Sequence, residues 1–299
     1  MIHIFGWLVF GLIGSSEAPA ILTSIVPMKF ILQEIVAPEF RVESLTSGNV
    51  SSHIYEPTPS DVRKLHESQI VFFVDPNLDH WMIKNRKDKI FSMMSLLPVE
   101  NRKSFIFDHD HSDHAHQSGH HHHHKNHHKA KSSYDPHFWM DPLSVQKILP
   151  NLVELLCQEF SKNCSLFKEN AQKFSKNLDE LDKNIRDSLR NKKVGPIMTT
   201  HDFLNYFCQR YNIEYLEPIE PIPGKEPSPK DILKLHRLVK EKNLKVLFSE
   251  PQLNTQNAKN LAESAGVKYL DLDPIGADKS IKDYQSLILW NLNQMLAGH

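Results

Sequence analysis

One stretch limits the architecture more than any other. Across residues 165–193 the apolar residues Phe167, Ala171, Phe174, Leu178, Leu181, Ile185 and Leu189 recur at gaps of three and four. That spacing predicts a single amphipathic helix with a continuous apolar stripe. At ~1.5 Å per residue, roughly 28 residues reach about 42 Å, which is longer than one small lobe. A chain of 299 residues carries a length prior of about two domains of ~150 residues each. The helix therefore runs along both lobes of a two-lobed molecule.

On either side of it, short apolar runs alternate with helical patterns. Ahead of it, residues 21–26 are β-prone, Pro27 stops them, and residues 28–35 have helical spacing. A second strand falls at 41–45 and runs into the loop TSGNVSSHIYEPTPSD, with Ser60 as N-cap of the helix DVRKLHES. Residues 70–74 (IVFFV) are wholly apolar, as a buried parallel strand should be. A weakly patterned helical region follows, then a strand near 104–107, and a further helix begins near Leu143. Behind the long helix, strands are expected at 196–200, 213–216, 244–249 and 267–272. Helices are expected at 202–211, 232–242, 255–265 and 281–296. The fold class is α/β: two lobes, each a parallel sheet flanked by helices, joined by one long backbone helix. The expected boundaries are a signal peptide at 1–20, an N-terminal lobe at 21–164, the linking helix at 165–193 and a C-terminal lobe at 194–299.

Composition excludes several partners. A formal charge of -1 gives no electrostatic case for nucleic acid or an anionic membrane. No GxGxxG or Walker loop occurs among the ten glycines. Residues 2–13 form an apolar run of signal-peptide length, too short to span a bilayer, and small residues follow at Gly14, Ser15, Ser16 and Ala18. No Lys or Arg precedes that run, and no cysteine near it supports a lipid anchor. Cys157 and Cys164 could bridge only if the helix breaks between them, as Ser161 and Asn163 would allow. Free thiols are the equal alternative.

Histidine carries the chemistry. Eleven of the nineteen histidines crowd into residues 108–129, DHDHSDHAHQSGHHHHHKNHHK: His109, His111, His114, His116, His120, His121, His122, His123, His124, His127 and His128. Such a tract has no apolar period and reads as a weak, fast-exchanging metal loop, disordered without metal. Three others stand in distinct phrases, His53 in SSHIYEP, His137 in DPHFWMDP and His201 in TTHDF. Ligands in open parallel sheets gather at the carboxyl ends of strands. His53 follows the second strand, His201 ends the first strand of the second lobe, and Asp273 (in YLDLDPIG) follows its last strand, with Asp271 as the competitor. His53, His137, His201 and Asp273 would converge between the lobes as a tetrahedral site. Three imidazoles and one carboxylate suit zinc better than manganese, magnesium or calcium. Asp135, Asp141 and Asp202 read as ligand-orienting or helix-capping residues. His66 and His236 fall inside helices, and His80 is a weaker candidate for the cleft.

These phrases, with ILTSIVPMKFILQEI, IVFFVDPNLDHWM, EPSPKDI and FSEPQLNTQNAKNLAESAG, resemble the zinc-specific solute-binding proteins of ABC transporters. The resemblance covers nearly the whole chain after residue 20. It implies two α/β lobes on a rigid helix, one Zn2+ in the cleft, ligands at His53, His137, His201 and Asp273, and delivery to a membrane permease. It implies a non-enzymatic monomer exported to the periplasm. Histidine at the third position and a histidine-rich insertion are traits of the zinc members, where manganese or iron members carry glutamate at that position. Two other functions compete. A zinc hydrolase would use Glu250 as base, though HExxH is absent. A metal store or adhesin would need no transporter.

Overall fold

The computed structural model describes residues 21–107 and 134–299. The proposed signal peptide and the histidine tract lie outside the described residues.

The first lobe opens with β1 (Ile21–Thr23), α1 (Val26–Val36), β2 (Val42–Ser44), α2 (Pro59–Glu67) and β3 (Ile70–Phe73). Two short helices, α3 (Pro76–Asp79) and α4 (Trp81–Asn85), precede β4 (Ile90–Ser92) and α5 (Met93–Leu96). All pairings are parallel, in the order β2-β1-β3-β4. Pro27 does not merely end the strand; it stands in the first turn of α1, where its missing N–H would have had no helical partner. Thr58 rather than Ser60 caps α2, because Pro59 takes the first helical position and Asp61 closes a capping box with Thr58. The fourth strand is at 90–92 and not at 104–107, where a lone antiparallel bridge joins Ser104 to Tyr134. A three-residue, half-buried strand leaves almost no period to read.

The backbone continues through α6 (Pro142–Glu159), capped by Asp141, and α7 (Cys164–Asn191). Between them a single 3-10 turn at Ser161–Asn163 breaks the helix and brings Cys157 and Cys164 within 4.7 Å of each other at Cα, joined as a disulfide. α7 buries Phe167, Ala171, Phe174, Leu178, Leu181 and Ile185, the stripe expected from the sequence. Each large apolar residue of that kind contributes roughly 1.5–3 kcal/mol on burial.

The second lobe comprises α8 (Asn205–Tyr211), α9 (Pro229–Glu241), β5 (Val246–Ser249), α10 (Gln256–Ala265), β6 (Lys268–Asp271) and α11 (Tyr284–Gly298). β5 and β6 pair in parallel. The expected strands at 196–200 and 213–216 persist only as parallel bridges, Thr199 with Phe248 and Ile197 with Tyr215. In space the order is 215, 197–199, β5, β6, the same sequence of neighbours as β2-β1-β3-β4. Each sheet has a private outer core: Leu22, Leu65, Val71 and Trp81 in one, Leu235, Leu247, Leu261 and Ala262 in the other. Their inner faces share one core with α1, α6, α7 and α11, in which Ile21 and Phe72 join Val246 and Phe248. Among the described residues, no helix is long and apolar enough to cross a membrane.

Candidate metal centre

Three histidines converge where the lobes meet. His201 follows the backbone segment that pairs with β5. Its neighbours Thr199 and Thr200 are buried, and Thr199 donates to the His201 carbonyl at 2.6 Å. His137 enters through the phrase DPHFWMDP, just ahead of a 3-10 turn at Phe138–Met140 that leads into α6. His53 stands on the loop between β2 and α2. His137 and His201 are buried and His53 is half-buried.

Their Nε2 atoms form a tight group. His53 Nε2 and His201 Nε2 each lie 3.3 Å from His137 Nε2, and one ligand atom from each of the three residues falls within 4.8 Å of the others. Two nitrogens held at ~2.0–2.1 Å by one tetrahedral ion lie about 3.3–3.4 Å apart. The spacing is that of zinc ligands.

Carboxylates fix the ring orientations. Asp135 Oδ1 accepts from His137 Nδ1 at 2.8 Å and from its backbone N–H at 2.9 Å. Glu250 Oε1 accepts from His201 Nδ1 at 2.8 Å and from its backbone N–H at 3.1 Å. A carboxylate can only accept, so Nδ1 carries the proton and Nε2 the lone pair. In the neutral rings the Nε2 lone pairs of His137 and His201 face each other, an arrangement that a cation between them relieves. Asp135 and Glu250 are fully buried, and two buried negative charges behind neutral imidazoles suit a dication. Burial lowers the pKa of His201, but the charge and hydrogen bond of Glu250 outweigh it and hold the value above 6.5.

Asp273 is placed differently from the three histidines. It is fully buried, and its carboxylate faces its own loop. Oδ1 accepts from the N–H groups of Ile275 (3.2 Å) and Gly276 (2.8 Å) and from Gln252 Nε2 (2.7 Å), and Oδ2 accepts from Asp278 N–H (2.9 Å). Among the described residues the metal-capable cluster is His53, His137 and His201, without Asp273. Asp271 is exposed and accepts from Ser249. His80 is exposed at the junction of α3 and α4, and His66 and His236 lie on α2 and α9. The sequence suggests Glu250 only as the base of the competing hydrolase, whereas the structure shows it bonded to His201. Its place directly after β5 was the available signal.

Comparisons with known proteins show the family and the fold. A family model described as "Zinc-uptake complex component A periplasmic" matches residues 21–298. The chain is 25% identical over 283 residues to zinc-binding protein AdcA of Streptococcus pyogenes serotype M3, covering 92% of this chain and 55% of that protein. It thus spans about half the length of the streptococcal relatives it matches. It is 25% identical over 313 residues to the high-affinity zinc uptake system protein ZnuA of Brucella abortus, covering 96% of this chain and 94% of that one. A crystal structure of ZnuA shares the fold with a TM-score of 0.78 at 23% identity, over 94% of this chain and 99% of that one. The periplasmic zinc-binding protein TroA of Treponema pallidum shares it at 0.77 and 19% identity, over 94% and 98% of the two chains. On the extent of the family match, the chain belongs to the family of periplasmic components A of zinc-uptake complexes.

Proposed function

We propose that this chain is a zinc receptor that captures Zn2+ between its lobes through His53, His137 and His201 and delivers it to the permease of an ABC transporter. The observation that carries the reading is the 3.3 Å spacing of the paired Nε2 atoms, each buried ring held by a carboxylate. An all-nitrogen set favours zinc over manganese, which prefers oxygen. A hydrolase reading loses support on two counts. Glu250 is engaged twice with His201, and the enclosed space at the histidines is small, about 10 Å³.

Export to an oxidising compartment is supported by the Cys157–Cys164 disulfide and by the apolar run at residues 2–13. The histidine tract would serve as a collecting loop. Its flanks are held together by the Ser104–Tyr134 bridge, and Asp135, the partner of His137, is the next residue.

The test is complementation. In cells lacking their own copy and starved of zinc by a chelator, the full chain should restore growth. The variant with His53, His137 and His201 all changed to Ala should not, and added zinc should rescue both. Equal growth with the variant would refute the reading.

A further inference from the structure

The three histidines leave a tetrahedral ion one donor short, and Asp273 is not part of their cluster. The cavity wall offers another atom. Gln252 lies in the loop after β5 and is 8% exposed. Its Nε2 donates to the Gly48 carbonyl at 2.8 Å and to Asp273 Oδ1 at 2.7 Å. Both partners can only accept, so the chemistry settles which end of the amide is nitrogen. The remaining atom, Oε1, is buried and has no hydrogen-bond partner. A buried acceptor left unmet is unfavourable, and such atoms are uncommon in folded chains.

We propose that Gln252 Oε1 is the fourth donor to the zinc held by His53, His137 and His201. This rests on the zinc reading above. The cavity of about 10 Å³ holds one small occupant, since a single water needs ~10–15 Å³. On the wall of that cavity the unpartnered Oε1 is an oxygen donor available to an ion held by the three histidines. A neutral amide oxygen leaves the charge of the ion to be balanced by Asp135 and Glu250 behind the rings. Asp273 then influences the ion only through the amide that it fixes. The same amide grips the loop that carries His53, through Gly48. That loop is packed so closely against the second lobe that a Cβ added at Gly48 would lie 2.2 Å from the Gly276 carbonyl.

The test is a crystal structure of the full chain loaded with one equivalent of zinc, with the ion located by its anomalous signal. Oε1 should lie ~2.0–2.2 Å from zinc, the usual oxygen distance. Water or the Asp273 carboxylate in the fourth position, with Oε1 out of reach, would overturn the assignment and leave the receptor reading intact. Zinc absent from the three histidines would overturn both. In solution, chelator competition on Gln252→Met should show zinc affinity lowered at least about tenfold. An unchanged affinity with a lower melting temperature in the zinc-free state would make Gln252 a clip between lobes only, and would also overturn the proposal.

Discussion

The two sheets have the same order of neighbours, yet they contribute to the metal centre in different ways. In the second lobe the chemistry sits at strand ends. His201 follows the segment paired with β5, Glu250 follows β5 directly, and Asp273 follows β6 by two residues. In the first lobe the matching positions hold Ile25, Val74 and Met94, and both histidines arrive on connections instead. His53 is nine residues beyond β2, beside an exposed Ile54, and His137 lies just past the tract. One half of the site is thus built into a sheet and the other half is carried on loops. Loops open at lower free energy than core strands. Zinc release should therefore begin with the first lobe, while the His201–Glu250 pair stays assembled.

Ligand removal should break this asymmetry most visibly. Zinc site free energies of roughly 10–16 kcal/mol over four ligands average about 3 kcal/mol each, or roughly 100-fold in affinity. In chelator competition at pH 8, His201→Ala should reach or exceed that loss and His53→Ala should fall short of it. Equal losses would show that the lobes are energetically equivalent. Next in size are the carboxylates. Glu250→Gln and Asp135→Asn should each cost on the order of 10–100-fold in zinc affinity, because each frees a ring that was held by two hydrogen bonds.

A pH titration sharpens the contrast further. Zinc needs the neutral imidazole. Glu250 holds the pKa of His201 above 6.5 despite burial, so protons compete for that ring sooner than for an ordinary histidine as pH falls. Affinity should start to drop above pH 6.5. In Glu250→Gln, where burial is opposed only by the more weakly acting Asp202 and Asp135, the drop should shift to lower pH. In the zinc-free chain the sign reverses for stability. The ion pair stabilises the fold fully below pH 6.5, and that contribution fades as pH rises through the raised value. A pH profile identical in wild type and Glu250→Gln would remove Glu250 from the account. The smallest effect is in amide exchange. Without zinc, residues 46–58 should exchange faster than 199–203 and 249–252, and zinc should slow the first group most. Uniform protection would contradict release from the first lobe.

Much of this was legible in the sequence. The stripe from Phe167 to Ile185 gave the long helix because a helix of that length needs a continuous buried face. His53, His137 and His201 stand out in the sequence as lone histidines in distinct phrases, and the fold brings their three rings together. Other features had no local sign. Asp273 matched the strand-end rule, but its carboxylate is satisfied by the N–H groups of its own loop, a closure no spacing reveals. Glu250 and Gln252 act on partners 49 and 204 residues away, so only the folded chain shows their roles. The disulfide hinged on whether the helix broke between Cys157 and Cys164. A turn of three residues decided it, below what periodicity can resolve.

The central claim is that one zinc sits at the three histidines independently of the tract. Zinc per chain, measured by mass spectrometry on the full protein after dialysis against a chelator that strips isolated histidine runs, tests it most directly. The account predicts one retained zinc in the wild type and none in His201→Ala. Equal zinc in both would place the binding in the tract and contradict the site.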